Sequence, residues 1–211
     1  MGTKVSVLGP VEVQADATEE PARSVPGRNA RTLLAALAAR AGRPVRRDAL
    51  IADLWGDQPA GTGENLRLAV MRLRSALAAV DGERARRLVD TVADGYRLDL
   101  EEPDDLDAAR FERLLGAARG LAVAGDVPQA RVHLDGALAL WRADPLPELA
   151  GTDVGEAEAA RLRELREQVR DLHFELALAA GDHAALPSQI EAALVDQPYR
   201  EPRWGHLVLA L

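Results

Sequence analysis

Within residues 29–100, three helix-patterned segments stand ahead of a two-strand hairpin signal, and few folds accept that order. Residues 29–41 carry Leu33, Leu34 and Leu37 as an apolar stripe, with Gly42 expected as the C-terminal cap residue. Over residues 48–55, Leu50, Ile51, Leu54 and Trp55 recur with a helical period, and Asp48 suits the N-terminus through capping or the helix dipole. Residues 56–63 hold Gly56, Pro59, Gly61 and Gly63 with no apolar period, so they read as a loop. A third helix is expected over 64–80, ended by Asp81-Gly82. Residues 87–92 and 96–100 then read as strands about an Asp94-Gly95 turn. Ahead of all this, residues 4–8 alternate, Gly9-Pro10 interrupts, and 11–13 resume, which predicts a short antiparallel pair; Val45 is a lone extended residue. Strands, helix, helix, loop, helix, hairpin is the order of an α+β winged helix-turn-helix.

The acidic, proline-containing stretch 101–107 marks the expected domain boundary, giving a winged helix over 1–100 and an all-α domain over 101–211, each long enough to bury a core. Helices are predicted over about 105–124, 127–142, 154–180, 184–196 and 200–211 from leucine and alanine at 3.6 spacing. The segment Leu121–Asp126 is echoed 56 residues later by Ala177–Asp182, each followed by an alanine-rich helix. Stacked helix pairs of that kind are TPR-like, the period being stretched by an insertion around 143–153. The last segment is still apolar at Leu211, whereas a solenoid normally ends on a polar cap; the helical domain is therefore expected to be truncated at its C-terminal end.

A net charge of −8 argues against a nucleic-acid partner until it is divided. Residues 1–100 carry 15 Arg/Lys and 13 Asp/Glu, and residues 101–211 carry 11 and 21, so the acidity belongs to the second half. Arg67, Arg72, Arg74, Arg84, Arg86 and Arg87 lie close together, and a local basic face matters more for phosphate contact than the whole-chain balance. The absence of cysteine excludes a disulfide framework, a thiolate zinc site and a cysteine nucleophile, and fits a reducing cytoplasm. No apolar run approaches the ~18 residues of a membrane span. Residues 1–6 fit a loose myristoylation pattern, but Val5, Val7 and Leu8 read as strand core. A phosphate-binding Walker loop needs a lysine after its glycine, and the sole lysine, Lys4, has no such loop. His133, His173, His183 and His206 form no i, i+4 pair, and Asp104, Asp105 and Asp107 read as a charge cluster at a helix N-terminus. Neither a catalytic centre, a metal site nor a cofactor is expected.

The third helix carries the chemistry. At ~100° per residue, Leu66, Val70, Leu73 and Leu77 fall on one side, towards the core. Glu64, Leu68, Met71, Arg72 and Ser75 fall on the other, with Arg67 and Arg74 sharing a flank. In a helix-turn-helix this outer face enters the major groove, where arginine pairs with guanine edges and apolar groups meet thymine methyls. Arg67, Leu68, Met71, Arg72, Arg74 and Ser75 are the candidate contacts on the helix, weighed against the plainer reading that arginines solvate an amphipathic surface. In the wing, Thr91 offers a hydroxyl to phosphate and Arg97 a cation, Tyr96 is expected to pack inward, and Asp94 repels phosphate.

Residues 5–13, 50–57, 72–77 and 95–98 together resemble the Streptomyces antibiotic regulatory protein family, which joins an OmpR-type winged helix to a bacterial transcriptional activation domain of TPR-like helices. The resemblance continues through 106–112, 137–142 and 158–162 and spans nearly the whole chain. It implies a transcriptional activator, typically of a secondary-metabolite gene cluster. Such a protein binds direct repeats in double-stranded promoter DNA in tandem, as a dimer on DNA, and engages RNA polymerase. In that picture the loop with Gly56, Asp57, Gln58 and Thr62 is the candidate polymerase contact. The chain departs from the family, which usually has Asn at Glu64, His or Tyr at Ala69, Ser at Met71 and Arg at Val92. A good base contact supplies ~1–3 kcal/mol, so losing several would abolish or redirect specific binding. These departures favour the alternative of a protein-interaction module that has lost specific DNA binding.

Overall fold

A computed structural model of the chain describes residues 2–16, 21–56, 62–182 and 184–211. Contacts divide it into two compact units that do not follow linear order: Met1–Arg110 with Leu140–Leu162, and Phe111–Ala139 with Arg163–Leu211.

In the first unit, β1 (Thr3–Ser6) and β2 (Glu12–Ala15) form the expected antiparallel pair, with Val5 opposite Val13 and both side chains in the core. A third strand, β3 (Arg23–Ser24), was not expected; both residues are exposed and it joins through its backbone alone, without an apolar signal. Helix α1 (Arg28–Ala38) buries Leu33, Leu34, Ala35, Ala36 and Leu37 completely and packs on both helices that follow. It ends three residues before the predicted end at residue 41. Gly42, at φ 74°, instead turns the chain so that its N–H donates to the Leu98 carbonyl. Helix α2 (Arg47–Trp55) has Arg46 at its cap position; Asp48 makes no capping bond and sits in the first turn, where the dipole favours it. Helix α3 (Gly63–Arg86) is broken at Asp81 and Gly82, so the predicted stop is a kink followed by one further turn.

The second sheet has the order β4-β6-β5, with β4 (Val45–Arg46), β5 (Val89–Val92) and β6 (Gly95–Leu98) all antiparallel. The extended Val45 is thus an edge strand of the wing, and the hairpin turn is Ala93-Asp94, one residue before the position expected. Gly95 sits where a Cβ would overlap the Val45 carbonyl oxygen, so only glycine lets β4 approach β6. This unit is a winged helix-turn-helix.

Residues 140–162 lie on the C-terminal side of the boundary expected from sequence, yet they pack with the first unit. Arg142 N–H donates to the Leu8 carbonyl (2.9 Å), Leu146 N–H to Val7 (3.1 Å), and Glu148 Oε1 accepts from Val11 N–H (3.0 Å). On the other edge of the same backbone, Asp107 Oδ1 accepts from Val7 N–H (2.8 Å) and Oδ2 from Leu8 N–H (3.0 Å). Asp107 does stand in the first turn of a helix, as the charge-cluster reading has it, but its carboxylate clamps a strand end a hundred residues away. Burial pushes its carboxyl above the ordinary range, and the two amides pull it back.

The predicted helices of the second half are all present: α4 (Asp107–Val123), α5 (Val127–Leu138), α6 (Asp153–Ala179), α7 (Leu186–Asp196) and α8 (Glu201–Ala210). Helices α4 and α6 supply residues to both units. The 56-residue echo has a physical meaning. Asp126 N–H bonds the Leu121 carbonyl (2.9 Å) with Gly125 at φ 80°, and Asp182 N–H bonds Ala177 (3.0 Å) with Gly181 at φ 73°. Both helices therefore end in the same left-handed glycine cap. Phe174, Ala177, Leu186, Ile190, Leu194 and Leu207 form a core in the second unit. Beside it Arg203, wholly buried, donates to Asp171 Oδ1 (2.7 Å), to the Ala193 carbonyl (3.0 Å) and to the Glu167 carboxylate, with its guanidinium over the Phe174 ring. No described helix is long and apolar enough to cross a membrane.

Candidate nucleic-acid interface

Helix α3 starts where Thr62 Oγ1 accepts from Asn65 N–H (3.2 Å), satisfying one of the free amides of the first turn. Leu66, Val70, Leu73 and Leu77 are buried as the periodicity predicts, and this fixes which face is left outside. That face displays Glu64, Arg67, Leu68, Met71, Arg72 and Ser75, all exposed, with Met71 at 56%. Arg67 and Arg72 make no ion pair among the described residues, so their guanidinium groups stand free on either side of an exposed apolar pair. A face of two exposed cations, one exposed anion and two exposed apolar side chains can meet a partner that offers acceptor edges and methyl groups. Ala69 is buried (3% exposed), so the alanine itself lies off this face and offers a partner no surface.

The cluster of six arginines does not form one basic face. The kink at Asp81-Gly82 separates Arg84, Arg86 and Arg87 from the body of α3. Arg84 pairs with Glu101, whose carboxyl it holds below the ordinary range through their hydrogen bond, and Arg86 pairs with Glu83 (3.1 Å). Arg74 turns back onto the wing, where Nε and Nη2 donate to the Val89 carbonyl (3.0 and 2.7 Å) and Nη2 also to Thr91 Oγ1 (2.8 Å). Arg97 lies between Asp90 (3.1 Å) and Asp99 (3.2 Å), which neutralise it. Tyr96 is buried, as expected.

Sequence reasoning did not single out Arg43, Arg46 and Arg47. The pairing of β4 with β6 sets Arg46 opposite Gly95 at the tip of the wing, and Arg47 N–H donates to the Asp94 carbonyl (3.0 Å). All three are exposed. Their clustering was visible in the sequence, but nothing there said that a two-residue strand would bring them to the wing.

Of the candidate polymerase loop, Asp57 and Gln58 lie outside the described residues. Gly56 closes α2 at φ 57°, and the hydroxyl of Thr62 is engaged as the cap of α3. The histidines do not converge. His133 Nδ1 lies 2.9 Å from the Gln129 carbonyl of its own helix, His173 Nε2 lies 3.3 Å from Asp135 Oδ1, His206 stands on α8, and His183 lies outside the described residues. No group of three metal-ligating side chains is found among the described residues.

Comparison with known proteins agrees with this geometry. A family model described as "Transcriptional regulatory protein, C terminal" matches residues 26–98, and one described as "Bacterial transcriptional activator domain" matches 106–211. The transcriptional regulatory protein EmbR of Mycobacterium tuberculosis is 33% identical over 97% of this chain and 52% of its own length. The regulatory protein DnrI of Streptomyces peucetius is 31% identical over 99% of this chain and 77% of its own. A solved structure of M. tuberculosis EmbR in complex with a low-affinity phosphopeptide superposes with a TM-score of 0.89 at 30% identity, covering all of this chain and 55% of that one. The chain thus spans about half the length of the EmbR relatives it matches.

Proposed function

The chain belongs to the Streptomyces antibiotic regulatory protein family of transcriptional regulators, and from that premise we propose that it activates a secondary-metabolite gene cluster by binding direct repeats in promoter DNA. In this reading residues 1–100 read the DNA, residues 101–211 serve activation, two copies sit in tandem on the repeats, and the loop after α2 touches RNA polymerase, all in the cytoplasm. Arg67 and Arg72 reach base edges or phosphates, Leu68 and Met71 meet thymine methyls, Ser75 lines the same face, and the wing lies on the adjoining backbone. The observation that carries the reading is the outward face of α3, where Arg67 and Arg72 are exposed, and unpaired among the described residues, beside exposed Leu68 and Met71.

The test is an unbiased selection from random duplex DNA with the purified chain, repeated with Arg67→Ala and Arg72→Ala. Wild type is expected to enrich a direct repeat. Each variant is expected to bind less tightly, with its log affinity–log salt slope reduced by about 0.9 for each phosphate that it no longer neutralises. The relatives are twofold longer or more in several cases, so the activity of a whole protein of that length is part of the proposal. The second reading, an interaction module without specific DNA binding, is favoured by exposed Glu64 on the reading face and by the neutralised Arg97. The absence of any sequence preference in the same selection would favour it.

A further inference from the structure

We propose that Arg74 is a positioning residue that anchors the wing to the reading helix and sets Thr91 as the wing's hydrogen-bond donor to a DNA phosphate. The inference rests on the DNA-binding reading above and reassigns one of its arginines from contact to support.

Arg74 leaves α3 one turn before Leu77, on the flank that faces β5. Its two bonds to the Val89 carbonyl fix the plane of the guanidinium, and its third bond, to Thr91 Oγ1, extends along the same strand to the next residue on that side. A guanidinium has only donors, so Thr91 oxygen must be the acceptor. The hydrogen of that hydroxyl is then left to point elsewhere. Phosphate oxygens accept and cannot donate, so a hydroxyl whose oxygen is already engaged offers them its hydrogen without competition. Without Arg74 the hydroxyl is an ordinary rotor, and β5 loses a tie to the helix that reads the groove.

The charges around the wing point the same way. Arg97, the cation of the hairpin itself, is held by Asp90 and Asp99, and Asp94 stands exposed at the turn. Thr91 is therefore an exposed polar group of β5 that carries no charge to repel phosphate and an orientation imposed from α3. The arrangement couples two parts of the interface that the sequence separates by 17 residues. A wing held at a fixed distance from the reading helix contacts the backbone only when the helix is seated in its groove.

The experiment uses the full chain and the duplex recovered by selection. Affinity is measured against salt for wild type, Arg74→Ala, Thr91→Val, the double variant and Arg67→Ala. Amide hydrogen exchange over residues 89–98 is followed without DNA. Loss of one hydrogen bond to a charged acceptor such as a phosphate lowers affinity about ten- to 150-fold, which is the expectation for Thr91→Val. Arg74→Ala should weaken binding at least as much. Adding Thr91→Val to it should then change little, because the hydroxyl is already unset. Neither variant should alter the salt slope, whereas Arg67→Ala should lower it by about 0.9. Exchange over 89–98 should rise in Arg74→Ala and return part of the way in Arg74→Lys, whose single ammonium keeps the charge but reaches fewer acceptors. A fall in salt slope for Arg74→Ala matching that of Arg67→Ala would make Arg74 a phosphate contact and overturn the proposal. Additive losses in the double variant, or unchanged exchange, would overturn it as well. Should Arg74→Ala fail to fold, Arg74→Gln, which also removes the charge, carries the same comparisons. If wild type selects no DNA, the DNA-binding reading fails and takes the phosphate role of Thr91 with it, while the exchange measurements still judge the anchorage by themselves.

Discussion

Replacing Asp107 by alanine removes the acceptor for two consecutive buried amides, Val7 and Leu8, and leaves neither with water to turn to. A hydrogen bond to a charged group contributes about 1.5–3 kcal/mol, so the gross loss is about 3–6 kcal/mol. Burial works in the other direction. It raises the carboxyl's pKa, which means that the ion is held at some cost, and deleting it returns that part. A net loss of about 2–4 kcal/mol is expected for Asp107→Ala. Asn at the same position keeps one oxygen for one amide and turns an NH2 towards the other, so about half the loss should remain. Urea denaturation near neutral pH, followed by tryptophan fluorescence, reads both numbers; Trp55 and Trp141 belong to the unit that Asp107 clamps. If Asp107→Ala unfolds within about 0.5 kcal/mol of wild type, as most surface substitutions do, the clamp carries no weight and the reasoning is wrong.

Other perturbations test other parts. Gly95→Ala sets a methyl against the Val45 carbonyl oxygen; since backbone cannot yield as a side chain can, a loss of at least about 3 kcal/mol is expected in thermal melting, and an unchanged melt would show that β4 is not held there. Arg203→Met leaves the Ala193 carbonyl, Asp171 and Glu167 without their buried donor. Breaking a buried pair costs about 3–5 kcal/mol, and because Asp171 keeps Arg200 and Glu167 keeps Arg170, about 2–3 kcal/mol is expected from chemical denaturation monitored at Trp204; a variant as stable as wild type would refute it. Glu164→Gln tests pH dependence. The hydrogen bond from Arg200 holds the Glu164 carboxyl below its ordinary 4.5, so its contribution is present above that value and is lost as pH falls through the depressed one. The stability difference between wild type and variant should therefore shrink as the solution is acidified below about 4.5, and a difference that grows in acid would reverse the sign.

What could be read from the sequence was what repeats. The stripe Leu66, Val70, Leu73, Leu77 recurs often enough to fix the orientation of α3, and the same periodicity located all five helices of the second half to within a few residues. The glycine caps at 125 and 181 were legible because the segments around them are similar. Single residues whose partners lie far along the chain were not. Asp107 looks like any acid at a helix start until Val7 and Leu8 are brought to it. Arg203 looks like a surface cation on an apolar helix until Asp171 and Glu167 close over it. Strand β3 has no apolar residue to announce it, and β4 exists only because Gly95 lets it in. In the candidate site, the outward face of α3 was read correctly as a face, but sequence says nothing of which arginines around it are already engaged: Arg74 on its flank by a carbonyl, Arg84 beyond the kink by Glu101, Arg97 on β6 by two aspartates.

The double hold on Val7 and Leu8 bears on where the gene can be cut. Their amides are met by residue 107 and their carbonyls by residues 142 and 146, while Val11 relies on residue 148. A fragment stopped at residue 100 would keep every side chain on the reading helix and still lose the supports of its own first sheet. The smallest self-sufficient version of the first unit therefore has to borrow its last stretch from beyond residue 140, and expression of the bare winged helix should yield a weaker or partly molten product.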